Sequence, residues 1–226
     1  MAIIVSVMLP ETNPDLTEGQ TEARLSDTLK GYIKVVRDRL FMSFMIISIL
    51  SIVVYMQMNS TLPVYLRDFH GVPPQGYGYL VSLNAGMVVL LQFWFTRKTS
   101  TKAPMLMMAL GTVFYAVGFG LFGFISHYAL FMLAMILITI GEMIVSPIGS
   151  ALVAKFSPED MRGRYLAVYS IAWGIPIAIG PLAAGIIMDK YDPNWVWYGS
   201  GIVSMIAVIG FLSLRTHARR RFSEIR

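Results

Sequence analysis

His127–Phe156 reads HYALFMLAMILITIGEMIVSPIGSALVAKF. About 20 apolar residues cover the roughly 30 Å hydrocarbon core of a bilayer, so this stretch predicts one membrane-crossing helix. Glu142 lies about midway between His127 and Lys155 and therefore close to the midplane. An acidic residue at that depth costs about 2.5–3.5 kcal/mol on insertion scales and faces a bundle interior or a wet cavity. Steps of three and four place Thr139, Glu142, Ser146, Gly149 and Ser150 on one helical face, while Leu, Ile, Met and Val fill the others. The helix thus turns one narrow face away from lipid. Two readings of Glu142 follow: a neutral carboxyl making one interhelical hydrogen bond, or a group that handles protons or substrate, the default for an intramembrane ionisable residue.

Working outward, the composition agrees. A chain of 226 residues that is 56% hydrophobic and 14% charged is not a soluble domain. Backbone polar groups inside lipid must pair internally, which leaves helices or a closed barrel. The apolar runs are continuous rather than alternating, so they predict helices. With no cysteine there is no disulfide framework, thiol nucleophile or cysteine metal site. The net charge of +5 gathers at the span ends, and nucleic acid is not an expected partner.

Six apolar spans are expected, at about Leu40–Leu66, Gly78–Thr96, Pro104–Ile125, Tyr128–Ala154, Tyr165–Met188 and Trp195–Leu214. None but the fourth contains an acid, and that acid is Glu142. If the segment before the first span is cytoplasmic, all of the 18 Lys and Arg except Arg67 and Lys190 fall on the cytoplasmic side. The positive-inside rule therefore places both termini in the cytoplasm. Residues 1–10, MAIIVSVMLP, are too short to span and lack a charged n-region, so they read as the remnant of a preceding transmembrane helix. Residues 11–39 form a cytoplasmic linker in which Leu25, Leu29, Ile33 and Val36 recur at helical spacing. An amphipathic surface helix and a plain loop both fit that pattern. Residues 40–214 are the six-helix bundle and residues 215–226 a basic cytoplasmic tail.

Polar residues within the spans mark a candidate cavity. In the first span Ser48, Ser51, Tyr55 and Asn59 share one face, and Gln57 points roughly the opposite way. Interhelical hydrogen bonding and cavity lining both account for them. The second span carries Asn84 and Gln92, and the third has Gly111, Gly118, Gly120 and Gly123, which suit close helix approach. Prolines at Pro63, Pro147, Pro176 and Pro181 remove ladder donors and predict kinks, with packing or gating as their use. A proline-bearing span, a loop and then Tyr-Leu occurs at Pro63…Tyr79-Leu80 and again at Pro147…Tyr165-Leu166. This echo fits two three-helix repeats of inverted topology.

No catalytic signature appears. His70, His127 and His217 sit at span ends or in the tail, and neither a metal-ligand cluster nor a phosphate-cradling glycine loop is present. An enzyme is not expected, nor is a cofactor or a metal.

NSTLPVYL at Asn59–Leu66, YGYLVSLNAGMVVLLQ at Tyr77–Gln92, RKTSTKAP at Arg97–Pro104 and Gly141–Gly185 with its Pro-Glu-x-x-Arg-Gly loop stand in a specific order. Together they resemble the seventh, eighth, tenth and eleventh helices and the adjoining loops of a major facilitator superfamily transporter, most closely its multidrug–proton antiporter branch. The resemblance covers almost the whole chain and implies an all-α integral membrane protein, half of a 12-helix fold. The family's first six helices are not in this sequence, so an amino-terminal six-helix half is an expected partner, beside the lipid bilayer.

What the resemblance implies about function is secondary active transport in the plasma or inner membrane: proton-coupled efflux of amphipathic or cationic small molecules. Glu142 would take proton or substrate, since a carboxyl sealed from water favours its neutral form and a wetter site or a bound cation favours release. Tyr55, Gln57, Asn59, Asn84, Tyr115, Ser146, Tyr169 and Trp173 would line the substrate cavity. Arg97, Arg162 and Arg164 would sit at the cytoplasmic gate. Two alternatives stand beside this reading: a porter of sugars, peptides or metabolites on the same fold, and a non-transporting scaffold or partner subunit.

Overall fold

A computed structural model describes residues 18–224. The expected helix remnant at 1–10, the linker up to residue 17 and the last two residues of the tail lie outside the described residues. Eight α-helices and one short 3-10 turn make up the fold, with no strand among the described residues. They are α1 (Glu18–Arg37), α2 (Arg39–Ser60), α3 (Leu62–His70), α4 (Pro74–Thr99), α5 (Pro104–Phe122), α6 (Tyr128–Phe156), α7 (Arg162–Lys190) and α8 (Asn194–Glu224). The helices α2, α4, α5, α6, α7 and α8 are each long and apolar enough to cross a membrane.

Local chemistry sets the boundaries. Asp38 leaves helical geometry between α1 and α2, and its Oδ1 accepts the Phe41 amide at 3.2 Å, an N-cap directly before an apolar run. Pro74 and Pro104 open α4 and α5 at positions where a missing N–H costs nothing. Gly71, in the left-handed region at φ 63°, ends α3.

The expected first span, continuous from Leu40 to Leu66, is divided at Thr61. Pro63 has no N–H to give to the turn before it. The Thr61 hydroxyl instead donates to Gln57 Oε1, and Gln57 Nε2 donates to the Val53 carbonyl at 3.2 Å. The other three prolines behave differently: Pro147 lies inside α6, and Pro176 and Pro181 inside α7, without ending either helix.

The basic segment after Leu214 is also more ordered than a tail, because α8 continues through it to Glu224. Side chains hold it there. Phe222 packs on Phe156 with centroids 5.2 Å apart, and Arg221 donates to Asp38 Oδ1 at 2.8 Å and to the Phe156 carbonyl at 2.6 Å. Tyr165 adds a 2.8 Å bond to Asp38 Oδ2. One carboxylate thereby ties the same ends of α2, α6, α7 and α8 together.

At the opposite end Tyr65 donates to Asn194 Oδ1 at 2.5 Å, Tyr198 to the Gly123 carbonyl at 2.7 Å and Tyr128 to the Gly76 carbonyl at 2.7 Å. His70 meets the rings of Tyr65 and Phe131 edge-on there, and burial holds its pKa below the usual 6.5.

Two sets of three spanning helices, α2, α4 and α5 followed by α6, α7 and α8, compose the bundle. The first spanning helix of each set packs on the later helices of the other: α2 lies against α7 and α8, while α6 lies against α4 and α5. The helices α5 and α8 pack extensively on each other. Glycine allows the tightest of these approaches. A Cβ on Gly141 of α6 would stand 2.7 Å from the Gly111 carbonyl oxygen of α5, and one on Gly118 would stand 3.1 Å from that of Ala134. Small residues at such contacts let backbones meet where no hydrophobic force drives helices together in lipid.

Gln75 and Ser100 are exposed at opposite ends of α4. In a chain without native cysteine, a cysteine at Gln75 is expected to react with an impermeant maleimide from outside and one at Ser100 from the cytoplasm. Labelling of both from the same side would remove α4 as a membrane crossing.

Candidate functional site

Glu142 projects from the middle of α6 one residue after Gly141, whose contact with Gly111 seats this part of the helix against α5. Its two carboxylate oxygens meet donors from two other helices. Tyr55 of α2 donates its hydroxyl to Oε1 at 2.8 Å, and Asn84 of α4 donates Nδ2 to Oε2 at 2.7 Å. A second Nδ2 bond, 3.0 Å to Thr139 Oγ1, orients Asn84. Thr139 spends its own hydroxyl hydrogen on the Met135 carbonyl at 2.8 Å, so it must accept from Asn84. The Asn84 amide is thus fixed with its NH₂ toward Glu142.

The two partners are chemically unequal. Asn84 Nδ2 only donates, and it holds Oε2 as an acceptor in either protonation state. The Tyr55 hydroxyl rotates, donating to a carboxylate or accepting from a carboxylic acid. Oε1 is therefore the oxygen at which a proton can arrive or leave without breaking the network.

Beside the carboxyl lies a cavity of about 40 Å³ reached by α2, α5, α6 and α7. Ser48, Ser51, Tyr55, Tyr115, Tyr169 and Trp173 are among its walls. Ser51 is 1% exposed, and its hydroxyl has no hydrogen-bond partner. A buried hydroxyl left open next to a carboxyl suits a water or a small ion. The aromatic wall is a connected set, with Tyr55 centroids 5.8 Å from Tyr115 and 6.4 Å, edge-on, from Trp173. Ser146 also borders the cavity, yet it is exposed, as is Ser150 one turn on. The polar stripe of α6 thus runs from a buried Thr139 through a half-buried Glu142 to an open face.

The structure brings Tyr55, Asn84, Tyr115, Ser146, Tyr169 and Trp173 around Glu142. Gln57 and Asn59 are elsewhere. Gln57 is buried against α7, where a Cβ on Gly180 would touch its Nε2 at 3.0 Å, and Asn59 is exposed toward the far end of α2. The three arginines do not form one cluster. Arg97 is exposed in the last turn of α4, Arg162 pairs with Glu159 at 3.5 Å, and Arg164 lies across Gly31 of α1.

Sequence reasoning missed the group of Asp38, Tyr165 and Arg221. Its only local signal was an Asp directly before a long apolar run. Among the described residues no group of three or more His, Cys, Asp or Glu is placed to hold a metal ion.

Comparison with known proteins bears on this geometry. The family model described as Major Facilitator Superfamily matches residues 1–176 and 105–226. A Na(+), Li(+), K(+)/H(+) antiporter of Planococcus maritimus is 27% identical over 205 residues, covering 82% of this chain and 46% of the relative. Multidrug resistance protein 3 of Bacillus subtilis is 24% identical over 138 residues, 59% of this chain and 26% of that protein. Among solved structures, the peptide transporter POT in complex with sulfate superposes with a TM-score of 0.67 at 16% identity, covering 97% of this chain and 51% of that one. At such identity the likeness is one of fold. The chain spans about half the length of that antiporter and of that transporter structure. These proteins are transporters, not enzymes.

Proposed function

This chain belongs to the Major Facilitator Superfamily, and from that membership and the setting of Glu142 we infer a carboxyl-terminal bundle that couples export of a cationic substrate to protons. The observation that carries the inference is the pairing of Glu142 with one fixed donor, Asn84, and one reversible partner, Tyr55, beside the exposed face of Ser146 and Ser150. A single carboxyl that either holds a proton or neutralises a cation makes the two occupants exclusive, which is the requirement for exchange.

The working unit contains a second six-helix bundle. Only 11% of the central stretch of α4 and 22% of that of α7 is buried within this bundle, against 39% or more for the other four spanning helices. Secondary transporters bind substrate at the midplane between two such units that rock about it. The basic loop ends then face the cytoplasm of the cell or inner membrane.

Two substrate classes fit. An amphipathic organic cation would use the aromatic wall, with the second bundle enlarging the cavity toward the roughly 300–1,000 Å³ of small-molecule sites. A monovalent metal cation is favoured by a different observation: the existing cavity of about 40 Å³ has Ser48, Ser51, Tyr55 and Glu142 oxygens in its walls. The name of the Planococcus maritimus relative is of that type.

The deciding experiment uses inverted membrane vesicles containing this chain and a matching amino-terminal half, energised to an acidic interior. Addition of substrate cation is expected to collapse the pH gradient. Collapse by sodium or potassium but not by lipophilic dyes selects the metal cation, and the reverse selects the organic one. No collapse by either class would overturn proton-coupled export.

A further inference from the structure

We propose that the basic end of the bundle holds a binding site for the phosphate headgroup of an anionic phospholipid. The site is a cavity of about 1170 Å³ between the start of α5, the end of α6 and the last turns of α8.

Charge is the first argument. Lys155, Arg162, Arg215, Arg219 and Arg221 line the cavity, against Glu159 as the one acid in its wall. Glu159 pairs with Arg162 at 3.5 Å, and Arg221 is engaged by Asp38 at 2.8 Å. Lys155, Arg215 and Arg219 remain, exposed and without an ion pair among the described residues. Arg215 and Arg219 are four residues apart on α8 and so share a helix face, turned toward the end of α6 where Lys155 stands. Three uncompensated cations converging on one cavity repel each other and favour an anion between them.

Backbone adds to the field. The 19-residue helix α5 begins inside the cavity with Ala103 at its N-cap and Pro104 in its first turn, and no side chain caps it. First-turn amides without an intrahelical acceptor, at the positive end of the helix dipole, are a phosphate-binding geometry.

Position and lining select lipid over a soluble anion. The cavity lies where the apolar spans α5, α6 and α8 meet the membrane surface, the level at which headgroups sit. Its other walls are Pro104, Met105, Phe156 and Phe222, which suit glycerol and the first methylenes of acyl chains. Basic pockets between helices at such a boundary bind anionic headgroups. The site shares no residue with the Glu142 cavity and does not depend on what the protein transports.

Native mass spectrometry of the purified 226-residue chain in detergent tests this, with phosphatidylglycerol and phosphatidylcholine of identical acyl chains. Phosphatidylglycerol is expected to bind at least ~10-fold tighter in a first, saturable step, and to raise the melting temperature where phosphatidylcholine does not. The combined Lys155→Gln, Arg215→Gln, Arg219→Gln variant should lose that preference. Equal charge removal at Lys34, Arg39 and Lys98, none of which lines the cavity, should keep it. Equal binding of the two lipids by the wild type, or equal loss in both variants, would overturn the site. Displacement by inorganic phosphate as readily as by phosphatidylglycerol would reassign it to a soluble anion and overturn the lipid assignment. If the cavity variant fails to fold, the wild-type melting shift decides: no selective rise with phosphatidylglycerol rejects the proposal.

Discussion

Glu142→Gln is expected to reduce proton-coupled transport to background while leaving insertion and abundance near those of the wild type. The network explains both halves of that result. Glutamine retains an oxygen to accept from Asn84, and its NH₂ can donate to Tyr55, whose hydroxyl turns to accept. Fold and packing are therefore preserved. What disappears is the carboxyl proton that the proposed coupling requires.

Glu142→Ala should be equally uncoupled but less stable, because it removes the partner of the Tyr55 hydroxyl and leaves Asn84 only Thr139, at about 1 kcal/mol for each intramembrane hydrogen bond lost. Tyr55→Phe keeps the carboxyl and should retain coupled transport at a lower rate. The readout is pH-gradient-driven flux in inverted vesicles, normalised to protein in the membrane. A purely structural glutamate predicts the opposite pattern, with Gln tolerated in transport and Ala losing protein. Wild-type rates from Glu142→Gln across a range of pH would remove this residue from the mechanism.

The second large effect concerns the open face of the bundle. Purified chain reconstituted alone is expected to show no gradient-driven flux, and co-expression with a matching amino-terminal half should restore it. The reason is geometric. Ser146 and Ser150 are exposed on the helix that carries Glu142, and α4 and α7 are the least buried spans. On the proposed reading, a midplane site without a facing bundle has nothing to rock against and cannot alternate between the two sides of the membrane. Robust efflux by the isolated chain at monomer mass would contradict this account. Absence of flux even with the partner half would favour a scaffold role.

Much of this architecture is legible along the chain because the bilayer imposes it. A run of about 20 apolar residues has one stable conformation in hydrocarbon, so the spans from Pro104 and from Tyr128 begin where their hydropathy begins. The glycines of the third span are readable for the same kind of reason: in α5 only a missing Cβ permits the approach seen at Gly111 and Gly118. Helical periodicity separates Tyr55 from Gln57, and the structure keeps them on different faces, one on Glu142 and the other against Gly180.

Periodicity supplies faces, not partners. Which helix a face meets depends on the rotation and neighbours of all six, and those are settled by side-chain packing summed over the bundle. Glu142 draws its donors from residues 87 and 58 positions away in the chain. The break at Thr61 depends on the Gln57 side chain folding back along its own helix, and the ordered end of α8 on Arg221 reaching Asp38 across 183 residues. The order of apolar and polar residues therefore determined six helical spans, with one acid near the middle of the fourth. The partners of that acid, the cation cluster around the start of α5 and the clasp at Asp38 were decided by tertiary packing, because in lipid a polar side chain takes whichever complementary group the neighbouring helix presents.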